Sequence, residues 1–440
     1  MKSYVFFWGC TIPARFAFQE KAARLVAERM EIDIVDLDGF TCCPEKELVK
    51  SMGDDLWLIT AARNLALAEK TGLPLVTPCN GCYGTLKGAK AELHKSPKLM
   101  AMVNKELAAI GMKYEGKVKV LHMLELFHDV ISPAKIAAYV QKPLKGMKIG
   151  VHYGCHMMRP AKVLNFDDPI QPVKFDALVN AIGAKSMNYT TKMLCCGGGL
   201  SNVGNVSEGQ DLLRRKLQEL KSLEADAITT VCPSCYSQYD TQQFMLARSG
   251  EKYNLPVISY QELLALAMGF SPAEIGIDMH KIDTAAFVQK WEKNIGEHTK
   301  TKAIFDVASI ERCVNCAACT NDCPVTLSVE GVNLHSMMKR VLTEDLDELL
   351  KSPDIWRCVE CHTCLELCPQ CYGMEKVFHQ LKQMAIKQGY VQPTTAKAIE
   401  MFNQTGRLGE PSKAQRKKLG LKDAPKTGTD DWKKLIGGKR

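Results

Sequence analysis

The 440-residue sequence predicts an α/β fold in two pseudo-symmetric halves, followed by a mainly α-helical domain. Three observations predict it. The first is a cysteine spacing that occurs twice. Cys10, 31 residues, Cys42-Cys43, 35 residues and Cys79-Asn-Gly-Cys82 are followed by Cys155, 39 residues, Cys195-Cys196, 35 residues and Cys232-Pro-Ser-Cys235. Self-similarity of this kind marks a duplicated unit. The second is an alternation of short apolar runs with helical stretches over the same region, the pattern of largely parallel α/β sheets. The third is a twin motif, Cys313-Val-Asn-Cys316-Ala-Ala-Cys319-Thr-Asn-Asp-Cys323-Pro324 and Cys358-Val-Glu-Cys361-His-Thr-Cys364-Leu-Glu-Leu-Cys368-Pro369, set among helical patterns.

Ser3–Trp8 reads as a first strand that delivers Cys10. The run Tyr4-Val-Phe-Phe-Trp-Gly-Cys10 after Lys2 also looks faintly like a signal or lipoprotein start. It is short and Arg15 follows soon, so a buried strand fits better. A helix over Phe16–Met30, a strand over Ile32–Leu37 and a helix over Asp54–Lys70 stopped by Gly72 come next. Leu73–Thr77 is a strand that delivers Cys79 and Cys82. In the second half, strand Met147–Tyr153 delivers Cys155, Val173–Ile182 and Val206–Leu223 are helical, and strand Ala227–Val231 delivers Cys232 and Cys235. Ligands of such sheets gather beyond the carboxyl ends of the strands, so the three cysteine groups of each half are expected to converge. Gly197-Gly198-Gly199 lacks the Lys-Ser/Thr of a phosphate loop and suits close approach of backbone to a bulky group.

Residues 271–310 read as a connector with a polar helix near Thr284–Asn294. Gly331–Leu350 and Glu375–Gln388 are helical by pattern, among four or so helices of the C-terminal domain. The twin C-x2-C-x2-C-x3-C-P is the bacterial-ferredoxin signature for two four-iron four-sulfur cubane clusters, in which the fourth cysteine of each run serves the other cluster. The expected sets are Cys313, Cys316, Cys319 and Cys368 for one, and Cys358, Cys361, Cys364 and Cys323 for the other. Structural zinc also uses C-x2-C pairs but has no need of the following proline.

Composition is that of a folded protein, 46% hydrophobic and 24% charged. No run of about 18 apolar residues suggests a membrane span. Nineteen cysteines would suggest disulfides in a secreted chain, but in an intracellular one they indicate metal or redox work. The formal charge is +8, and Arg407–Arg440 holds 11 Lys/Arg against 4 Asp/Glu. Without interleaved aromatics or a nucleic-acid fold signature, this basic tail reads as solvated or partner-docking, with no nucleic acid implied.

The doubled spacing resembles the cysteine-rich CCG domains of the B subunit of heterodisulfide reductase, although the first Cys pair is followed by Pro44 and only the second by Gly197. Residues from about 280 to 405 resemble the ferredoxin-type C subunit, so the chain looks like a B–C fusion. Glycolate-oxidase and lactate-utilisation iron–sulfur subunits combine similar modules but usually place the ferredoxin part first. The resulting division is 1–145 and 146–270 as two CCG domains, 271–310 as connector, 311–405 as ferredoxin-type domain and 406–440 as tail.

The resemblance implies two non-cubane four-iron four-sulfur clusters. Cys10, Cys42, Cys43, Cys79 and Cys82 would hold one, and Cys155, Cys195, Cys196, Cys232 and Cys235 the other. These and the eight cubane ligands account for 18 of 19 cysteines and leave Cys371 as a bystander thiol, with an alternative ligand near Cys368 as the rival reading. It further implies cleavage of the coenzyme M–coenzyme B heterodisulfide between the two clusters, in an anaerobic, methanogenic and cytoplasmic setting. The implied partners are a flavin-containing A subunit and an upstream hydrogenase, formate dehydrogenase or deazaflavin-dependent subunit within a higher-order complex. The chain itself has no flavin or nicotinamide fingerprint.

His152 and His156, which straddle Cys155, are candidate proton donors, with local hydrogen bonding to a loop as the alternative. Arg15 and Arg159 follow the first cysteine of each half and are candidates to face an anionic substrate, against an ordinary surface role. C-x2-C thiol–disulfide exchange is the rival chemistry. Action on another disulfide, or a pure electron relay, are the rival functions.

Overall fold

A computed structural model describes residues 2–306, 309–310, 313–314, 316–342 and 346–436. The chain divides into two compact units, Met1–Gly296 and Glu297–Arg440.

The first unit is built on two four-stranded sheets. β1 (Lys2–Phe6), β2 (Ile32–Val35), β3 (Leu75–Thr77) and β4 (Val120–His122) lie in the order β2-β1-β3-β4. β5 (Lys148–Val151), β6 (Lys185–Ser186), β7 (Ala227–Thr230) and β8 (Val257–Ser259) lie in the order β6-β5-β7-β8. All six pairings are parallel, and β1 registers Val5 on Leu75 much as β5 registers Ile149 on Ala227. The inner strands β1, β3, β5 and β7 are largely buried, as in parallel sheets covered by helices. Each inner strand ends in a cysteine loop, so sheet order places the Cys10 and Cys79 groups side by side, and likewise Cys155 and Cys232.

The helices form where the pattern places them. Asp54–Glu69 starts on two acidic residues, favourable at a helix N-terminus, and buries Trp57, Leu58, Ala61, Ala62 and Leu65 on one stripe. Val206–Ser222 buries Leu213, Lys216, Leu217 and Leu220. The expected Phe16–Met30 helix is Ala17–Arg29, preceded by a separate turn, Thr11–Arg15. The connector is not a loose linker. Ile277, Phe287 and Trp291 bury themselves in the core of the first unit, and the division between units falls inside the helix Ala285–Ile304.

The second unit is helical among its described residues. Leu349, Leu350, Val377, Phe378 and Leu381 form the centre of its core. Gly331–Leu350 is not one helix: it comprises Leu334–Arg340 and the beginning of Leu346–Lys351, because Leu334, Met337 and Met338 face the core from one segment and Leu349 and Leu350 from another. The tail carries the short helix Lys413–Lys418, which buries none of its residues. No helix of the described residues is long and apolar enough to cross a membrane.

Candidate functional site

All ten cysteines of the duplicated spacing line one cavity of about 360 Å³ in the first unit. The sulfurs form a continuous series of contacts. Cys10 lies 4.0 Å from Cys42, Cys42 interacts with Cys43, Cys43 with Cys82, and Cys82 with Cys79. Cys79 meets Cys232 across the halves, and the series continues through Cys235, Cys196, Cys195 and Cys155. Hydrogen bonds from neighbouring thiols hold Cys43, Cys195 and Cys232 well below the ordinary thiol range. Thiol sets that favour thiolate at selected members are what soft metals require.

Backbone shape permits this crowding. Gly9 and Gly154 precede the first cysteine of each half with φ of +72° and +79°, and a Cβ on Gly9 would stand 2.9 Å from Cys82 Sγ. After the second Cys pair, the Gly197 and Gly198 amides donate to Cys195 Sγ and Cys196 Sγ at 3.4 and 3.3 Å. In each half a buried polar side chain secures the loop at the Cys pair. Asn64 accepts from Thr41 N and donates to Cys42 O at 3.0 Å each. Lys216 donates to Lys192 O and Leu194 O at 3.0 and 2.9 Å. Burial pushes Lys216 down to about 7.

The two halves close each other. Asn80 donates to Tyr153 O at 2.8 Å, and Tyr83 donates to Leu164 O at 3.1 Å. Reciprocally, Tyr236 packs edge-on against Phe16 and Phe18. Tyr83 and Tyr236 each follow a C-x2-C pair, a sequence signal that marks these crossing contacts and that the cysteine spacing alone overlooks.

The other predicted residues separate. His156 lines the cavity. His152 does not line it among the described residues: it is 1% exposed, and its Nδ1 faces Lys216 Nζ at 2.9 Å and Tyr239 Oη at 3.2 Å. Burial, and then the Lys216 charge, holds the His152 pKa far below the usual histidine range. Neither Arg15 nor Arg159 is among the cavity-lining residues. Both are exposed, and Arg159 donates to Pro169 O at 3.2 Å. The helical turn after Cys10 buries Ile12 and the non-helical turn after Cys155 buries Met157, which leaves both arginines facing outward.

In the second unit, Cys313, Cys316, Cys319 and Cys368 line one small cavity of about 30 Å³. Cys358, Cys361, Cys364 and Cys323 line another of about 20 Å³, to which Cys319 also contributes. Cys371 is exposed and lines neither. Thiol sets of four or five in converging loops have the donor chemistry for iron–sulfur clusters.

Two parallel-sheet halves with a shared cysteine cavity, joined to a helical unit with twin four-cysteine sets, define an iron–sulfur redox protein. The "Cysteine-rich domain" family model matches residues 4–87 and 149–240, and the "4Fe-4S dicluster domain" model matches 309–371. The B subunit of the ferredoxin/F(420)H(2)-dependent CoB-CoM heterodisulfide reductase of Methanosarcina acetivorans is 41% identical over 286 residues, 64% of this chain and 95% of that protein. The membrane anchor subunit of the 8-methylmenaquinol:fumarate reductase of Wolinella succinogenes is 31% identical over 285 residues, 64% of this chain and 98% of that protein. A crystal structure of a hypothetical protein from Helicobacter pylori shares the fold at a TM-score of 0.52 and 20% identity, covering 64% of this chain and 52% of that one. The chain belongs to the family of heterodisulfide reductase B subunits, a family of oxidoreductases, with a dicluster iron–sulfur domain following in the same chain.

Proposed function

We propose that the chain is the catalytic iron–sulfur subunit of a heterodisulfide reductase complex and cleaves the coenzyme M–coenzyme B heterodisulfide. The observation that carries this reading is the convergence of all ten repeat cysteines on one cavity. A relay has no need of two five-cysteine sets facing one space.

Cys10, Cys42, Cys43, Cys79 and Cys82 would hold one non-cubane four-iron four-sulfur cluster. Cys155, Cys195, Cys196, Cys232 and Cys235 would hold the second. Cys313, Cys316, Cys319 and Cys368, and Cys358, Cys361, Cys364 and Cys323, would hold two cubanes. Bound there, the clusters would supply one-electron reduction and an iron site for each sulfur of the substrate.

The chain's own residues supply the surroundings. Trp8, Leu200 and Val203 line the cavity with apolar surface and limit water at the S–S bond. His156 lines it too and would return a proton to a departing thiolate. His152, engaged by Lys216 and Tyr239, is not placed for that role. A flavin-containing A subunit, fed by a hydrogenase, formate dehydrogenase or deazaflavin-dependent subunit in a cytoplasmic complex, suits a chain that accepts only single electrons.

A second reading, an electron-transfer subunit without its own substrate, is favoured by the relative named as part of a fumarate reductase. One experiment separates them. The chain is loaded with iron and sulfide without air, analysed for metal, and given the heterodisulfide with a reduced viologen dye. Turnover by this chain alone supports the catalytic reading, and full iron loading with no turnover of this or any other disulfide supports the relay.

A further inference from the structure

We propose that His152, held by Lys216, is a hydrogen-bond donor to the sulfurs of the second-half site and makes that site the more readily reduced of the two. The proposal rests on the reading that each half holds its own cluster.

Donor counting fixes the tautomer of His152. Lys216 Nζ lies 3.0 Å from Lys192 O, 2.9 Å from Leu194 O and 2.9 Å from His152 Nδ1. Carbonyl oxygens only accept, and beside the anionic thiolates of a loaded site, whose charge opposes the effect of burial, Lys216 is an ammonium with three hydrogens, so it donates to all three. His152 Nδ1 is then an acceptor. An imidazole that accepts at Nδ1 carries its hydrogen on Nε2. That Nε2 is buried and has no protein partner. A ring nitrogen of His152 and the sulfurs of Cys196 and Cys235 all lie within 4.8 Å of one another. A nitrogen that bears hydrogen has no lone pair for iron. His152 is therefore a donor towards sulfur and not a sixth ligand, and Lys216 is the positioning residue that fixes its tautomer.

The matching position of the first half holds no histidine. Phe7 occupies the matching place, three residues before Cys10, as His152 stands three before Cys155. The backbone correspondence is close: Gly9 and Gly154 both have positive φ, Phe7 N donates to Val76 O at 2.8 Å, and His152 N donates to Thr229 O at 2.9 Å. Asn64, which secures the first Cys pair, spends its amide on Thr41 and Cys42. A phenyl ring offers sulfur no hydrogen. Hydrogen bonds to cluster sulfurs favour the reduced, more negative state and raise the potential. The duplicated scaffold thus gives its two sites different affinities for the electron.

The test is a redox titration of the anaerobically loaded full chain, followed by electron paramagnetic resonance and iron analysis. Cys155→Ser identifies the second-half signal. His152→Phe, which installs the first half's residue, is expected to leave iron content unchanged and to lower the reduction constant of that signal about tenfold, about 59 mV for one electron. The remaining signals stay in place. Lys216→Met moves the same signal in the same direction, and His152→Asn, which keeps a donor, recovers part of the shift. An unmoved potential in both His152→Phe and Lys216→Met overturns the proposal, and loss of iron from His152→Phe overturns it in favour of ligation. If His152→Phe does not fold, Lys216→Met decides alone. A wild-type chain that loads only cubane clusters defeats the proposed function itself, and this inference with it.

Discussion

Gly154→Ala is a direct probe of how the two halves are fitted together. Gly154 has φ +79°, and a Cβ there would stand 2.2 Å from Asn80 Nδ2 and 3.5 Å from Cys235 Sγ. Two costs follow. A left-handed conformation costs a non-glycine residue roughly 1–2 kcal/mol. Displacing Asn80 breaks its buried bond to Tyr153 O, and an orphaned buried group costs roughly 1–3 kcal/mol more. Gly72 is the control: its φ is +70° and nothing stands within 4 Å of its Cβ position, so Gly72→Ala meets only the first cost. The difference between the two variants is therefore about 1–3 kcal/mol. With a urea slope of about 3 kcal/mol/M, the Gly154→Ala midpoint for the first unit falls roughly 0.3–1 M below that of Gly72→Ala. Tryptophan fluorescence follows the transition, because Trp57 and Trp291 are buried in that unit's core. Coincident midpoints refute the reasoning. So does a Gly154→Ala penalty that persists in full when Asn80 is already alanine, since the clash then has no partner.

Three further outcomes are expected. In the iron-loaded chain Cys371 should alkylate with iodoacetamide while Cys79, Cys82, Cys232 and Cys235 stay protected; mass spectrometry that finds those four modified would remove the cluster assignment. Burial opposes charge on His280, but the Glu262 carboxylate at 2.7 Å, together with Asp240 and the Val257 backbone, holds it above its usual range. A raised histidine stabilises fully below its unfolded pKa and loses that contribution as pH rises through the folded one. The contribution of His280 to the stability of the first unit should therefore fall away above about pH 6.5, so the penalty of His280→Gln in urea melts should be largest below that pH and shrink above it. Asn64→Leu strands Thr41 N and Cys42 O and should destabilise the first unit by about 1–3 kcal/mol, with first-half iron lost before second-half iron on mild chelation.

The cysteine framework and the inner strands were legible because each apolar run ends in a cysteine that fixes its direction. The outer strands β4, β6 and β8 were not, being two or three residues long with little pattern to read. The helix Asn80–Lys95 hides behind Gly81, Gly84 and Gly88, residues that look like breakers. Gly84 is needed because a Cβ there would lie 2.5 Å from His156 O. Lys216 was legible in principle: it shares the i, i+3, i+4 stripe of Leu213, Leu217 and Leu220, which marks it as facing inward. The roles of His152, His156, Arg15 and Arg159 could not be ranked from spacing, since each is only a few residues from a cysteine and side-chain direction decides among them.

Tyr83 and Tyr236 reach in opposite directions across the middle of the first unit, each sealing the cup that the other half forms. The duplication is therefore no longer divisible. A gene cut between the halves would yield two open bowls, each lacking its lid, and a fragment of either would expose five thiols to air and to one another. Two separate halves would have to meet in solution to close either bowl. The present chain makes that pairing intramolecular, so it no longer depends on concentration.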